Sequence, residues 1–192
     1  MLHDNWLDRW LPVVLARAGG APVLEVGCGH GDDTAALAAA GLRVLAFDLS
    51  PVAVSVAKVR VPSATIECRD IRDPLPQQAC ELGGVIASLS LHYFTWVETL
   101  AIGQRLHGAL RPGGVLLCRL NSTEDSNFGA RGHPEIEPNF FMVNGAPKRF
   151  FDESAVRSLF STGWQLLSLE HFTTRKYLKP KSIWEAVVER AA

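Results

Sequence analysis

Three glycines at alternate positions, Gly27, Gly29 and Gly31, lie between two acidic residues, Glu25 and Asp48. Glycine lets the backbone turn sharply and lets a ligand approach it, because no Cβ fills that space. The helix predicted directly after the loop begins with unpaired N–H groups that suit a carboxylate or a phosphate. Asp48 ends the next apolar run, where a carboxylate can accept hydrogen bonds from both hydroxyls of a ribose. The pattern is typical of a nucleotide-binding α/β unit.

The loop departs from two familiar nucleotide-binding patterns. A dinucleotide fingerprint requires a glycine three residues after its second glycine, and Asp32 stands there. A phosphate-binding loop ends in Gly-Lys followed by Ser or Thr, which this sequence lacks. Glu25 and Asp32 would repel a pyrophosphate but suit a ligand that carries an ammonium and a sulfonium. The alternative is a plain turn between a strand and a helix.

This stretch resembles motif I of the class I S-adenosylmethionine-dependent methyltransferases, whose ribose-binding acid matches Asp48. The resemblance covers most of residues 22–188 and implies S-adenosyl-L-methionine as the cofactor. It places Leu49 against the adenine ring and Asp70 beside the adenine amino group, with the N–H of Ile71 nearby. For Asp70, a solvated loop acid is the alternative. The cofactor-binding residues implied are Glu25, Gly27, Cys28, Gly29, Gly31, Asp48, Leu49, Asp70, Ile71 and Ser88.

Apolar runs alternate with helix-compatible segments, which predicts a parallel sheet with crossover helices. Ser50-Pro51 is a helix cap followed by proline at the first helical position, and Thr95 and Glu98 form a capping box. The expected fold is α/β, a Rossmann-like, seven-stranded, mostly parallel sheet with helices on both faces and an antiparallel edge hairpin. The predicted strands are 22–26, 42–47, 64–68, 83–89, 115–120, 164–171 and 182–188, and the later helices 32–40, 51–59, 95–110 and 152–160.

Apolar residues also recur at helical spacing before the first strand, with Asp4 as a cap. Pro12 lies inside this segment and predicts two short helices or a kink. Trp6 and Trp10 belong either to the core or, as in N-terminal helices of the resembling family, to a roof over the cofactor.

The length of 192 residues and the hydrophobic content of 47% suit one domain, residues 1–192. A net charge of -1 gives no basic surface for nucleic acid. Without a long apolar stretch or a signal peptide pattern, we expect no membrane association and a cytoplasmic monomer or homodimer. The four cysteines lack CxxC spacing, so we expect reduced thiols and no metal site.

The residues after the fourth predicted strand, Ser90–Phe94, should face the ligand, because ligands lie beyond the carboxyl ends of parallel strands. They lack the Asn/Asp-Pro-Pro-Tyr/Phe of DNA amino-methylating enzymes and the Pro-Cys of cytosine-C5 enzymes. The run is similar to that of small bacterial methyltransferases, including tellurite-resistance-type enzymes. A small-molecule substrate is therefore expected.

Residues 121–150 break the strand–helix rhythm and are interpreted as a cover over the substrate, with a hairpin in their second half. If the substrate is an oxyanion, Arg131 and Arg149 would be natural clamps, because a guanidinium offers two aligned donors. A thiol or selenol substrate would favour a mainly apolar cover. The candidate substrate-binding residues are Tyr93, Asn121, Arg131, His133 and Arg149.

His92 is the candidate catalytic residue, since it titrates near neutrality and could remove a proton from the acceptor. The alternative is a histidine that holds the turn through backbone hydrogen bonds. The expected function is in-line methyl transfer from S-adenosylmethionine to a small molecule. Two rivals are a catalytically silent cofactor-binding regulator and an NAD-dependent oxidoreductase, which the missing Tyr-x-x-x-Lys pair disfavours. An ordered pocket beneath the cover would favour the enzyme.

Overall fold

The computed structural model describes residues 6–175 and 177–191, so the predicted cap at Asp4 lies outside the described residues. The helices are α1 (Leu11–Ala18), α2 (Asp32–Ala39), α3 (Pro51–Arg60), α4 (Trp96–Ala109) and α5 (Glu153–Leu159). The strands are β1 (Val23–Val26), β2 (Val44–Asp48), β3 (Thr65–Cys68), β4 (Leu82–Ser88), β5 (Leu110–Asn121), β6 (Glu135–Glu137), β7 (Phe140–Val143), β8 (Ala146–Arg149), β9 (Trp164–Thr174) and β10 (Lys181–Arg190).

The main sheet has seven strands in the order β3-β2-β1-β4-β5-β10-β9. The first five are parallel, and β10 and β9 add an antiparallel pair at the edge. The predicted Rossmann-like α/β fold is therefore confirmed. Because β1, β2, β4 and β5 run in one direction, their carboxyl ends and the residues that follow them share one edge of the sheet.

Alternate strand residues pack on opposite faces of the sheet. One core joins Leu116 and Cys118 of β5 to helices α4 and α5, while the other joins Val115 and Leu117 to helices α1, α2 and α3. The helices therefore cover both faces, which is why the parallel strands read as nearly continuous apolar runs.

Local capping explains where the helices begin. The Ser50 hydroxyl accepts from the Ala53 N–H at 3.3 Å, and Thr95 and Glu98 form the predicted capping box. The Asp152 carboxylate accepts from the Ala155 N–H at 2.8 Å at the start of α5. These caps satisfy N–H groups that have no partner within the helix. The predicted helix starts are confirmed here.

Two boundaries differ most from the prediction. Helix α1 begins only at Leu11, after a turn, so Pro12 lies in its first turn, where a backbone N–H is not needed. The prediction of two short helices or a kink at Pro12 is therefore wrong for the described residues, which form a turn followed by one helix. Strand β5 begins at Leu110 instead of residue 115, because Leu110 pairs with Leu82 and the pairing register then shifts before Gly84.

The segment 121–150 contains a small antiparallel sheet in the order β6-β7-β8, which includes the predicted hairpin. Phe150 and Val143 form a separate small core with Ala130. An isolated parallel bridge between Ser122 and Phe151 joins the two ends of the segment beside the main sheet. The segment 121–150 is therefore anchored at both ends to the carboxyl edge.

Candidate functional site

Two cavities lie at the carboxyl edge of the sheet, and Gly27 contributes to both. The larger has a volume of about 600 Å³ and the smaller about 190 Å³. The larger cavity is lined by Val26, Gly27, Phe47, Asp48, Leu49, Ser50, Arg69, Asp70, Ile71, Arg72, Leu89, Ser90, Tyr93, Phe94 and Pro147. The smaller cavity is lined by Trp6, Glu25, Gly27, Cys28, Gly29, His30, Asp32, Asp33, Ser88, Leu89, Arg119 and Tyr177.

Asp48, at the end of β2, organises the glycine loop. One carboxylate oxygen accepts from the Gly29 N–H at 2.9 Å, and the other accepts from the Ser50 N–H at 2.9 Å. Gly27 has a φ of +71°, and a Cβ on it would lie 2.6 Å from the Ser90 Cβ. Only glycine fits there, since the backbone is left-handed and the neighbouring side chain occupies the space.

Glu25, on β1, is buried at the wall of the smaller cavity and accepts a hydrogen bond from the Thr34 hydroxyl. Burial, with the charge of Asp33 adding to it, raises the pKa of Glu25 well above its ordinary value. An ammonium ligand would reverse this repulsion and favour the ionised carboxylate. The cavity is thus suited to a positively charged group.

The outer rim of the larger cavity carries the residues predicted around adenine. Leu49 is exposed and lines the cavity, and Ile71 is buried beside it. The Asp70 carboxylate accepts from the Arg72 guanidinium and from its backbone N–H at 2.9 Å. Hydrogen bonding from Arg72 lowers the pKa of Asp70. The structure therefore brings these residues to the cavity that holds Asp48.

Three further residues were predicted at the cofactor, and two of them line the smaller cavity. Cys28 and Ser88 do so, and burial raises the pKa of the Cys28 thiol to about 12. Gly31 lines neither cavity. A Cβ on Gly31 would lie 3.2 Å from the Ala57 Cβ, so this glycine allows α2 and α3 to approach each other. Direct cofactor contact by Gly31 stays a prediction.

His92 is buried behind Tyr93, and the centroids of the two rings are 4.1 Å apart. Its carbonyl accepts from the Arg149 N–H at 2.7 Å, whereas its Nδ1 has no hydrogen-bond partner among the described residues. Burial, with the charges of Lys181 and Lys148 adding to it, lowers the pKa of His92 to about 3. Its ring is therefore neutral at physiological pH.

Tyr93 is the one candidate substrate residue that lines the larger cavity. Arg149 is buried, and its guanidinium donates to the Phe94 carbonyl at 3.0 Å and pairs with Glu137. Arg149 thus joins the segment 121–150 to the chain before α4, and these contacts do not show its predicted role as an oxyanion clamp. The Asn121 amide donates to the Arg149 carbonyl at 3.5 Å.

Arg131 is exposed and His133 is half-buried, and neither lines the two cavities. Their predicted contacts with substrate stay predictions. Among the described residues, no group of three or more His, Cys, Asp or Glu side chains is arranged to hold a metal ion. No helix in the described part of the chain is long and apolar enough to cross a membrane.

Two further side chains lie at these cavities: Ser90, which was expected to face the ligand, and Arg119, which the sequence analysis missed. Ser90 lines the larger one, and its hydroxyl is buried without a hydrogen-bond partner among the described residues. Arg119 lines the smaller one from β5. A signal for Arg119 was present, because it is the one charged residue in the apolar run 115–120 and charged residues are seldom fully buried without a purpose.

Comparison with known proteins agrees with this geometry. A family model described as a methyltransferase domain matches residues 23–114. An uncharacterised methyltransferase of Synechocystis is 37% identical over 101 residues, 53% of this chain and 47% of that protein. A ubiquinone biosynthesis O-methyltransferase of Xanthomonas campestris is 33% identical over 120 residues, 59% of this chain and 49% of that protein. The chain thus spans about half the length of these relatives.

Among solved structures, an S-adenosylmethionine-dependent methyltransferase from Clostridium acetobutylicum superposes with a TM-score of 0.77. It is 15% identical, and the match covers 100% of this chain and 93% of that one, so it shows the fold. The matches do not test the closer kinship with tellurite-resistance enzymes. Residues 23–114 thus match a methyltransferase domain, and motif and fold support a place among the class I S-adenosylmethionine-dependent methyltransferases.

Proposed function

We propose that this protein transfers a methyl group from S-adenosylmethionine to a small molecule. The observation that carries the proposal is the pair of cavities that meet at Gly27. One holds the Asp48 carboxylate and the other holds Glu25 and Asp33. A ribose diol and an ammonium are the two groups that such carboxylates bind most readily, and S-adenosylmethionine carries both.

The residues present fit this cofactor. Asp48 would accept from the ribose hydroxyls, and Leu49 and Ile71 would flank the adenine ring. Glu25 would hold the ammonium. The buried Ser90 hydroxyl, which has no partner among the described residues, offers a polar group at the wall of the larger cavity. Unsatisfied buried polar atoms are costly, so a ligand that pairs with Ser90 is stabilised.

The cofactor supplies a methyl group made electrophilic by its bond to a positively charged sulfur. The protein must then align the acceptor with that methyl and exclude water. Tyr93, Phe94 and Pro147 line the larger cavity from the side of α4 and the cover, where they would shield the reacting atoms. Because Pro147 belongs to the cover, this cavity supports the enzyme over the silent regulator.

His92 lines neither cavity, so we propose that it acts on the acceptor only indirectly, through Tyr93, whose ring centroid lies 4.1 Å from that of His92. Its role as a catalytic base stays a prediction. A general base works best when its pKa is near the working pH, and the pKa of His92 is about 3. His92 is therefore too weak a base to remove the proton of a hydroxyl group. A thiol acceptor, which ionises readily, needs no such base.

The buried His92 makes a prediction about stability. The unfolded chain protonates this histidine near pH 6.5 and the folded chain near pH 3, so the unfolded state binds more protons between these values. Stability should therefore fall as the pH falls below 6.5. Between pH 7 and pH 5, wild type should lose about 2 kcal/mol more than His92→Asn in urea unfolding. Identical losses would contradict the buried neutral state, and exposed His30→Asn is the control.

A small-molecule substrate, a cytoplasmic location and a monomeric or homodimeric state are part of the proposal. The net charge of -1 disfavours nucleic acid, and one relative bears the name of ubiquinone biosynthesis, a pathway for a small molecule. The catalytically silent regulator is the second candidate. It is favoured by the placement of Arg149, whose guanidinium is engaged with Glu137 and the Phe94 carbonyl and so is not presented to a substrate.

The test uses S-adenosylmethionine labelled on its methyl group. The purified protein and the labelled cofactor are incubated in separate reactions, each with one kind of acceptor. The acceptors are small hydroxyl, thiol and amine compounds, a filtered metabolite extract, total protein and total nucleic acid. We expect label and S-adenosylhomocysteine to appear with small acceptors or the metabolite extract. Cofactor binding without any transfer would support the silent regulator. Transfer to protein or nucleic acid alone would overturn the small-molecule assignment.

A further inference from the structure

Tyr93 lies between two peptide groups that are held by the same arginine. The Arg149 backbone N–H donates to the His92 carbonyl at 2.7 Å, and the Arg149 Nε donates to the Phe94 carbonyl at 3.0 Å. Tyr93 is 46% exposed and lines the larger cavity, whereas Arg149 is 3% exposed and lines neither the larger nor the smaller cavity. A buried residue therefore fixes the backbone on both sides of a cavity residue.

The guanidinium of Arg149 is itself held by four neighbours besides Phe94. Its Nη1 donates to the Pro138 carbonyl at 3.3 Å, and its Nη2 pairs with the Glu137 carboxylate. Its central carbon lies 4.8 Å from the centroid of the Phe140 ring and 5.6 Å from that of the Trp96 ring. A planar guanidinium between a carbonyl, a carboxylate and two aromatic rings has little freedom to rotate.

Glu137 extends this arrangement to helix α4. Its carboxylate accepts from the N–H of Trp96, the first residue of α4, at 2.5 Å, and it also pairs with Arg149. Glu137 ends β6 and Arg149 ends β8, so both belong to the segment 121–150. Hydrogen bonds that involve a charged group are stronger than those between neutral groups. The segment 121–150 is thus joined firmly to residues 92–96.

Tyr93 presents its phenol to the cavity that also holds Asp48, and its ring packs on His92. Partial burial, with the charge of Asp48 adding to it, raises the pKa of Tyr93. The phenol is therefore neutral at physiological pH and can both donate and accept a hydrogen bond. Such a group orients a reacting molecule only if its backbone stays in place, since a misplacement of about 1 Å can cost roughly 100-fold in rate.

We propose that Arg149 is a positioning residue for the methyl acceptor and acts through Tyr93. It fixes the backbone on both sides of Tyr93, and Glu137 fixes its guanidinium. The proposal rests on the proposed function, which assigns an acceptor to this cavity. Arg149 thereby serves the acceptor without touching it, and the segment 121–150 shapes the acceptor site through this contact.

The first test observes Tyr93 directly. The chain contains two tyrosines, so labelling with 3-fluorotyrosine gives two fluorine NMR signals, which the variant Tyr177→Phe assigns. In Arg149→Met, the Tyr93 signal should move toward that of the unfolded chain, and its phenol should titrate at a lower pH, because its raised pKa depends on burial. The Tyr177 signal should stay in place. Arg149→Lys keeps the charge but not the planar fork, so we expect an intermediate change.

The second test separates the acceptor from the cofactor. At saturating labelled cofactor, Arg149→Met should transfer methyl groups to the acceptors of wild type about 10- to 100-fold more slowly. Its affinity for S-adenosylhomocysteine, measured by calorimetry, should change by less than about 3-fold, since Arg149 lines neither cavity. Glu137→Gln keeps an acceptor for the Trp96 N–H but removes the charge, so its loss of rate should be smaller. Arg157→Met, which removes an exposed arginine on α5, is the matched control and should behave like wild type.

An unchanged Tyr93 signal in Arg149→Met would overturn the proposal, and so would equal losses of transfer rate and of cofactor affinity. If wild type methylated no acceptor, the proposed function would fail and the role toward the acceptor with it, whereas the Tyr93 signal would still show whether Arg149 positions this residue. Thermal unfolding shows whether each variant is folded. If Arg149→Met does not fold, Arg149→Lys and Glu137→Gln are compared with wild type by the same two measurements.

Discussion

Asp48→Asn is expected to weaken binding of S-adenosylhomocysteine by about 100-fold, because hydrogen bonds to a charged group contribute about 1.5–3 kcal/mol each. The Asp48 carboxylate also accepts from the Gly29 and Ser50 N–H groups, each at 2.9 Å. An amide can accept at only one of its two positions, so the variant also loosens the glycine loop. Calorimetric titration of both proteins measures the loss.

Asp73→Asn is the matched control, since Asp73 is an exposed aspartate that lines neither cavity. It should bind S-adenosylhomocysteine like wild type. Unchanged affinity in Asp48→Asn would contradict the assignment of the ribose site. Tight binding of NADH by wild type would contradict it as well, because the acids around the glycine loop disfavour a pyrophosphate.

Gly83→Ala is expected to destabilise the fold by about 3 kcal/mol or more, because no relaxation of a side chain can relieve the clash. A Cβ on Gly83 would lie 2.3 Å from the Ala18 Cα and 3.0 Å from the Ala18 carbonyl oxygen. Strand β4 and the end of α1 would have to separate. Urea unfolding measures the loss, and the separation should also disturb Ser88, at the end of the same strand.

The same substitution at Gly108 should have the opposite sign. Gly108 lies in α4, and nothing lies within 4 Å of the position that its Cβ would occupy. Alanine is favoured over glycine in a helix by about 0.5–1 kcal/mol, so Gly108→Ala should stabilise the protein slightly. Equal unfolding free energies for the two variants would contradict the close packing of β4 on α1.

Most of the sheet could be predicted because its signals are local. Apolar runs, the glycine loop and caps such as Ser50, Thr95 and Asp152 each depend on residues a few positions apart. The boundary of β5 could not be predicted, since Leu110 joins the strand only by pairing with Leu82 on another strand. Strand pairing is a tertiary property, and local pattern does not contain it.

The residues of the candidate site also fall into those that the sequence motif predicted and those whose contacts only the fold shows. Glu25 and Asp48 were predicted at the site because both belong to one short sequence motif, and both line the cavities. Arg149 was expected to face a substrate, whereas its guanidinium pairs with Glu137 and donates to the Phe94 carbonyl. The sequence alone does not show whether an arginine binds a ligand or pairs with other groups of the protein, because both interactions use the same guanidinium N–H donors.

By itself, the sequence determined the succession of strands and helices along the chain, the glycine loop and the acid at the end of β2. Helix caps and hydrophobic periodicity indicate these features, and both depend on residues only a few positions apart. The tertiary structure decided that Arg119 meets Trp6 and lines a cavity with Glu25, and that Gly83 must stay glycine. These contacts join residues that are far apart in the chain. They form only when the core packs, and packing geometry depends on the whole fold.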